Sequence, residues 1–343
     1  MTVKAQTEST PNQQALLASR WKNTGQTMLF LLFFGLIFMY RLDQYPAPWH
    51  DEAQYLHVAK NYAENGVYAD YSSEGNRYTG PIISLGPTVL LPVALLYKVF
   101  GVSILAARLV ISAYALLTLI ALYRLAALFG GQRFAWLTLG VTVFNFGLNL
   151  PYYARNVMGE VPALGFTFAA LWLWLRSNKC HSVSLILVGL LFGMACVTKN
   201  QYAIFICPSL VLAWVLDLAS YRRRGSWQFI LPGIITGAVY LLWTVYILYG
   251  HDASVRDVSA DLDVLRSAQS GSFFLMDVKR FAENLSYLAD TTTYGGFFLV
   301  IVLYGLYLSL KRDETGQRWG LLTSFLLVSL VVFVTSAGWK RFA

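Results

Sequence analysis

Long apolar runs separated by short basic loops constrain this chain more than any other feature. A bilayer-spanning helix needs about 17–25 apolar residues. The sequence offers such runs at 24–42, 104–129, 134–150, 157–175, 183–199, 202–219, 229–249, 294–310 and 319–337. Of the 343 residues, 57% are hydrophobic and 13% charged, against about 45–50% and about 25% in soluble domains. One soluble core cannot hide that surplus, so the chain reads as an all-α polytopic membrane protein. Its 10 Trp and 21 Tyr suit two membrane–water interfaces. The net charge of +8 does not imply a nucleic-acid partner, because the basic residues sit in short clusters between apolar runs. Three cysteines cannot build a disulfide framework: Cys196 and Cys207 lie in apolar runs and Cys180 in a basic loop.

Orientation follows from the excess of Lys and Arg in cytoplasmic loops. Arg222, Arg223 and Arg224 form the strongest such cluster, supported by Lys311 with Arg312 and Arg318, Arg176 with Lys179, and Arg124 with Arg133. The N-terminal tail, 1–26, carries Lys4, Arg20 and Lys22 and belongs on the same side. The first run lacks a small-residue cleavage site and reads as a retained span. An even number of spans must then separate the tail from Arg124. The stretch 82–100, with Pro81, Pro87 and Pro92, therefore does not cross, and reads as a re-entrant or interfacial helix. About nine spans result, within one transmembrane domain over 27–343 whose long outer loops are 43–80 and 250–293. Fourteen of the eighteen acidic residues then fall on the outer face. Either chemistry takes place there, or the long loops simply happen to lie there.

The first outer loop has structure of its own. Pro46 and Pro48 hold the approach extended, Asp51 is placed as an N-cap, and Ala53, Leu56, Ala59 and Ala63 recur at helical spacing. Gly66 reads as the helix stop. An amphipathic juxtamembrane helix over 51–66 would hold Asp51 and Glu52 at its start, near the interface. Capping alone would account for Asp51, and interaction with the helix dipole for Glu52. A second acid, Glu160, stands at the outer end of a span before Pro162. It is a functional residue at membrane depth or the ion-pair partner of Arg155. Lys199 lies in the outer turn 198–201, where it snorkels or meets an anion such as a lipid phosphate. The mixed charges of 250–293 read as a solvated surface.

In order along the chain stand Trp49-His50-Asp51-Glu52-Ala53-Gln54-Tyr55, Phe100-Gly101-Val102-Ser103, Ala106-Ala107-Arg108-Leu109, Tyr153-Ala154-Arg155, Val197-Thr198-Lys199 and Lys340-Arg341-Phe342. This order resembles the GT-C membrane glycosyltransferases, in particular the branch of protein O-mannosyltransferases and bacterial aminoarabinose transferases. The resemblance implies a polyprenyl-phosphate sugar donor and a glycan, lipid or protein acceptor. It makes Asp51 the general base in an inverting transfer, with two further catalytic carboxylates: Glu52 beside it, tuning it, and Glu160, shaping or polarising the site. His50, Tyr55, Arg155, Lys199 and Arg341 would bind substrate, Lys199 and Arg341 at the phosphate. No metal-ligand pattern occurs, so no metal ligand is assigned, although a divalent cation is left open by the wider superfamily. Phe342 stands where Tyr is common. The chain stops at Ala343, where relatives continue through further spans, so the resemblance implies an incomplete C-terminus.

Two other readings compete. A transporter or flippase of a lipid-linked substrate would place ionisable groups near mid-membrane, whereas here the deep interiors are nearly free of charge. A membrane scaffold presenting 250–293 to a partner is the third. The expected setting is a bacterial inner membrane with the active face toward the periplasm.

Overall fold

Pro46 and Pro48 deliver an extended Trp49 (φ −89°, ψ 154°), and the chain turns from there into α1, His50–Asn65. The helix therefore starts before Asp51, which sits inside the first turn and is not its N-cap. Trp49 occupies the cap position and makes no side-chain capping bond. Gly66 closes the helix as expected, in the left-handed conformation at φ 72°. The inward face also differs from the expected alanine stripe: Glu52, Tyr55, Val58, Ala59 and Asn61 are buried, and Ala53 is exposed. The computed structural model describes residues 25, 29–30, 32–73, 75–77, 85–145, 148–176, 182–220, 227–249, 282–286 and 316–335. Nearly all of the 1–26 tail, most of the 250–293 loop, the 294–310 run and Arg341 lie outside the described residues.

A short hairpin modifies the all-α expectation. Strand β1, Asp70–Ser72, pairs antiparallel with β2, Gly75–Arg77, Asp70 opposite Arg77. The Asn61 amide ties this hairpin to α1, donating to the Ala69 carbonyl at 2.8 Å and meeting Asn76 Oδ1 at 2.9 Å. Helix α2, Pro87–Phe100, occupies the proline-containing stretch. Its 14 residues span about 21 Å at 1.5 Å per residue, short of a hydrocarbon core of about 30 Å. Pro92 is interior, but Pro87 stands in the first turn, where no helical hydrogen bond is lost.

Helix α3, Ile104–Phe144, begins at Ser103, whose Oγ accepts from the Ala106 N–H at 3.1 Å. Its trace breaks at Gly131, φ 72° and ψ −170°, a backbone that suits only glycine. Ala115 and Val143 share one buried cluster, although a straight helix would separate them by about 42 Å. Tyr123 and Trp136 also meet, with ring centroids 5.3 Å apart. The chain therefore folds back at Gly131, and the runs expected at 104–129 and 134–150 are its two arms.

After the single turn α4, Leu150–Tyr153, come α5, Glu160–Arg176, α6, Ser182–Thr198, α7, Tyr202–Ser220, α8, Trp227–Tyr249, and α9, Gly316–Thr335. By length and hydropathy, Ile104–Phe144 and Trp227–Ile247 are each sufficient to cross a bilayer, and the other apolar helices are shorter. Without a hydrophobic drive between helices in lipid, small residues let backbones approach. A Cβ on Gly193 would lie 2.7 Å from Val239 Cβ, and one on Gly189 2.9 Å from the Pro232 carbonyl oxygen, so α6 and α8 pack closely. One cluster joins α5 to α9 around Trp174 and Phe192; another joins α1, α2 and the start of α3 around Val58, Val93 and Ile111.

Candidate active site

The start of α1, the first turns of α3 and α5, the end of α6 and the 154–159 turn meet at one end of the helices. Glu52 projects from the first turn of α1 into this junction and is fully buried. Arg108, one turn into α3 and equally buried, donates from Nε to Oε1 at 3.0 Å and from Nη2 to Oε2 at 2.8 Å. Its Nη1 donates to the Leu42 carbonyl at 3.0 Å. The Val157 N–H donates to Glu52 Oε1 at 3.0 Å. A planar fork on a carboxylate is the geometry in which a buried ion pair offsets its desolvation. Glu52 thus fastens α1 to α3 and to the 154–159 turn. Tyr97 of α2 lies against this pair: burial first, and the Glu52 charge second, push its phenol up to about 12.

Asp51, next along, has a side chain 32% exposed, with His50 Nδ1 at 3.9 Å. Tyr55, one turn on, is buried, and the Lys199 ammonium lies 6.0 Å from its ring centroid. Glu160, the first residue of α5, pairs with Lys199 at 3.0 Å. The alternative of an ion pair between Glu160 and Arg155 is therefore not the one adopted. Glu160 Oε2 is buried without a hydrogen-bond partner among the described residues.

Lys199 is held by its backbone as well as by its charge. The Gly86 N–H donates to the Thr198 carbonyl at 3.0 Å, Leu85 and Lys199 form an antiparallel bridge, and the Thr88 and Thr198 hydroxyls meet at 2.6 Å. A Cβ on Gly86 would fall 1.7 Å from the Val197 carbonyl oxygen, so only glycine permits this approach.

Arg155 stacks over the Tyr45 ring, 5.3 Å from its centroid, and is 6% exposed. Its Nε and Nη2 are buried and unpartnered. Burial lowers its pKa from the usual guanidinium value; Tyr45 opposes that effect and Arg108 adds to it. Three buried cations, Arg108, Arg155 and Lys199, face the buried carboxylate of Glu52 and the partly exposed one of Glu160, and of the three Arg155 is the one with no ion pair among the described residues. An arginine in that state has donors ready for an anion.

Among the described residues no three His, Cys, Asp or Glu side chains gather in one place. Glu52 is committed to Arg108 and Val157, leaving His50 and Asp51 as a pair, a donor set that does not fit a bound divalent ion. Arg341 lies outside the described residues, and His57 faces the hairpin, 3.2 Å from Asp70 Oδ1. Arg108 and Asn156 carry no assignment in the sequence reading. An arginine inside an apolar run was the available signal for the first; nothing in the pattern singles out the second.

Known proteins share this architecture. The chain matches ArnT from Cupriavidus metallidurans in the apo state at TM-score 0.61 and 16% identity, covering 94% of this chain and 57% of that one. The same protein bound to undecaprenyl phosphate matches at 0.62 and 16%, covering 93% and 57%. The archaeal oligosaccharyltransferase AglB from Archaeoglobus fulgidus, in complex with an inhibitory peptide and a dolichol-phosphate, matches at 0.55 and 11%, covering 94% and 49%. The chain thus spans about half the length of these proteins. No curated protein matches it by sequence. Residues 84–249, which contain Arg108, Arg155, Glu160 and Lys199, match the dolichyl-phosphate-mannose-protein mannosyltransferase family, and the chain shares the fold of ArnT and AglB.

Proposed function

We propose that the chain is a membrane glycosyltransferase that takes a sugar from a polyprenyl phosphate and passes it to a hydroxyl acceptor. The observation that carries this reading is a half-buried carboxylate, Asp51, set beside a clamped ion pair in the same junction as a buried arginine that lacks a carboxylate. Base and anion holder are the two parts the reaction needs. Asp51 takes the proton from the acceptor hydroxyl as its oxygen attacks the anomeric carbon. The bond from that carbon to the phosphate oxygen breaks, and polyprenyl phosphate leaves with the electron pair. One displacement inverts the anomeric centre.

Arg155 stabilises the charge that develops on the phosphate, and Lys199 shares its ammonium between Glu160 and the same anion. Glu52 is fully buried and accepts three hydrogen bonds from Arg108 and Val157, so it positions Asp51 and leaves the chemistry to its more exposed neighbour. Arg341 joins the phosphate by resemblance alone. Around this site we read nine spans within 27–343, a cytoplasmic 1–26 tail and an outward-facing site in a bacterial inner membrane. The acceptor is a glycan, lipid or protein hydroxyl.

The test supplies polyprenyl-phosphate sugars to membranes carrying wild type, Asp51→Asn or Asp51→Ala and measures release of free polyprenyl phosphate. General-base loss lowers turnover about 10²–10⁴-fold at equal expression. Asn is nearly isosteric and costs only the favourable charge at the helix start, about 0.3–1 kcal/mol. Equal turnover in wild type and both variants would remove Asp51 from the chemistry.

A further inference from the structure

Asn156 is fully buried, and neither its Nδ2 nor its Oδ1 has a hydrogen-bond partner among the described residues. Exchanging the two atoms changes nothing, because both lack one. A buried amide unsatisfied at both ends is unfavourable, and an apolar side chain of the same size would make a more stable fold. A residue kept at such a position needs a partner that the described residues do not supply.

Its backbone ties it to the junction. The Met158 N–H donates to the Asn156 carbonyl at 2.7 Å, and the next residue's N–H, that of Val157, is the one bonded to Glu52. The preceding residue is Arg155, whose Nε and Nη2 are also buried and unpartnered. Two consecutive side chains in one turn therefore carry unused polar atoms of different kinds. Arg155 has donors only, which suit a phosphate. Asn156 has a donor pair and an acceptor. A phosphate could use the donors but would repel Oδ1. A hydroxyl group serves both ends, donating to Oδ1 and accepting from Nδ2.

We infer that Asn156 hydrogen-bonds hydroxyls of the donor's sugar ring while Arg155 holds the phosphate to which that sugar is attached. The inference rests on the proposed donor being a polyprenyl-phosphate sugar, and it makes Asn156 a residue that selects the sugar.

The experiment measures binding of the full chain in lipid nanodiscs to undecaprenyl phosphate and to undecaprenyl phosphate carrying mannose, glucose or aminoarabinose. In wild type at least one sugar-bearing lipid binds tighter than the bare phosphate, by about 5- to 150-fold for two neutral hydrogen bonds. Asn156→Leu removes that difference, leaves binding of the bare phosphate within about twofold, and melts at the same temperature or higher because an unpaired amide is gone. Asn156→Ala repeats the measurement should leucine not pack. Arg155→Gln weakens every lipid. If wild type binds the bare phosphate and sugar-bearing lipids equally, or if Asn156→Leu and Asn156→Ala keep the full difference, the inference is overturned and the amide holds only water. If wild type binds none of the four lipids, the proposed donor itself is wrong and the inference falls with it.

Discussion

Glu52 and Asp51 are neighbours in sequence with unlike surroundings, and that contrast divides their work. Glu52 is sealed in a bidentate contact with Arg108, while Asp51 keeps about a third of its side chain exposed. Removing one partner of a buried pair strands the other's charge at a cost of about 3–5 kcal/mol. Glu52→Leu and Arg108→Met alone are expected to lower stability by that much in thermal unfolding of the purified chain. The double variant recovers most of the loss, since an apolar pair of similar volume is often neutral or better. A double variant as unstable as the two singles combined would sink the clamp reading. Arg155 supplies a second contrast. Arg155→Gln should weaken binding of polyprenyl phosphate about 10- to 150-fold, the range for a charge-assisted hydrogen bond, and Arg155→Lys should recover little, because an ammonium lacks the planar fork. Binding isotherms against the bare lipid decide it; full recovery by lysine would reduce Arg155 to a point charge.

At the scale of elements, residues that hold no chemistry set where the chemistry stands. Gly86 lets the start of α2 lie against the end of α6, and a methyl group there would fall on a backbone oxygen that cannot rotate away. Gly86→Ala is expected to cost about 1–3 kcal/mol, as overpacking does, and to weaken lipid binding as Lys199 moves with its backbone. Gly35→Ala serves as the control, with nothing within 4 Å of the added carbon; its melting temperature should hold or rise. Thermal unfolding and lipid binding of both variants check the joint, and an unchanged Gly86→Ala would refute it. These elements were unequally legible in the sequence. The runs behind α3 and α5 to α9 were plain because hydropathy depends on composition. The inward face of α1 was misread because Glu52 belongs to it, and a carboxylate scores as exposed until its partner 56 residues away is known. Asp51 was misplaced as a cap because capping preference is local, whereas the extended Trp49 is set by the prolines before it. Asn156 could not have been found at all: an unpartnered amide is a property of the packed interior, not of the chain.

For the whole molecule, the geometry of α3 links the site to a membrane orientation. Arg108 marks the site end of the first arm, and the fold-back at Gly131 lies about 35 Å further along the helix, more than the thickness of a hydrocarbon core, about 30 Å. An arm of that length with Arg108 at one interface carries Gly131 and Arg133 to the other. The β1–β2 turn is fastened to α1 by Asn61 and so shares the site's side. Ser73 and Arg133, both exposed, should then label from opposite faces. In a cysteine-free background, Ser73→Cys is expected to react with a membrane-impermeant maleimide in intact cells. Arg133→Cys should react only after the membrane is opened. The Lys and Arg excess of the loops predicts a cytoplasmic Arg133, and the labelling tests that prediction together with the one from helix length. Labelling of both positions from outside would mean that the first arm does not cross, and the site would lose its place at an interface. The reversed pattern would keep the span and move the chemistry to the cytoplasmic face, where an acceptor need not cross the membrane to reach Asp51.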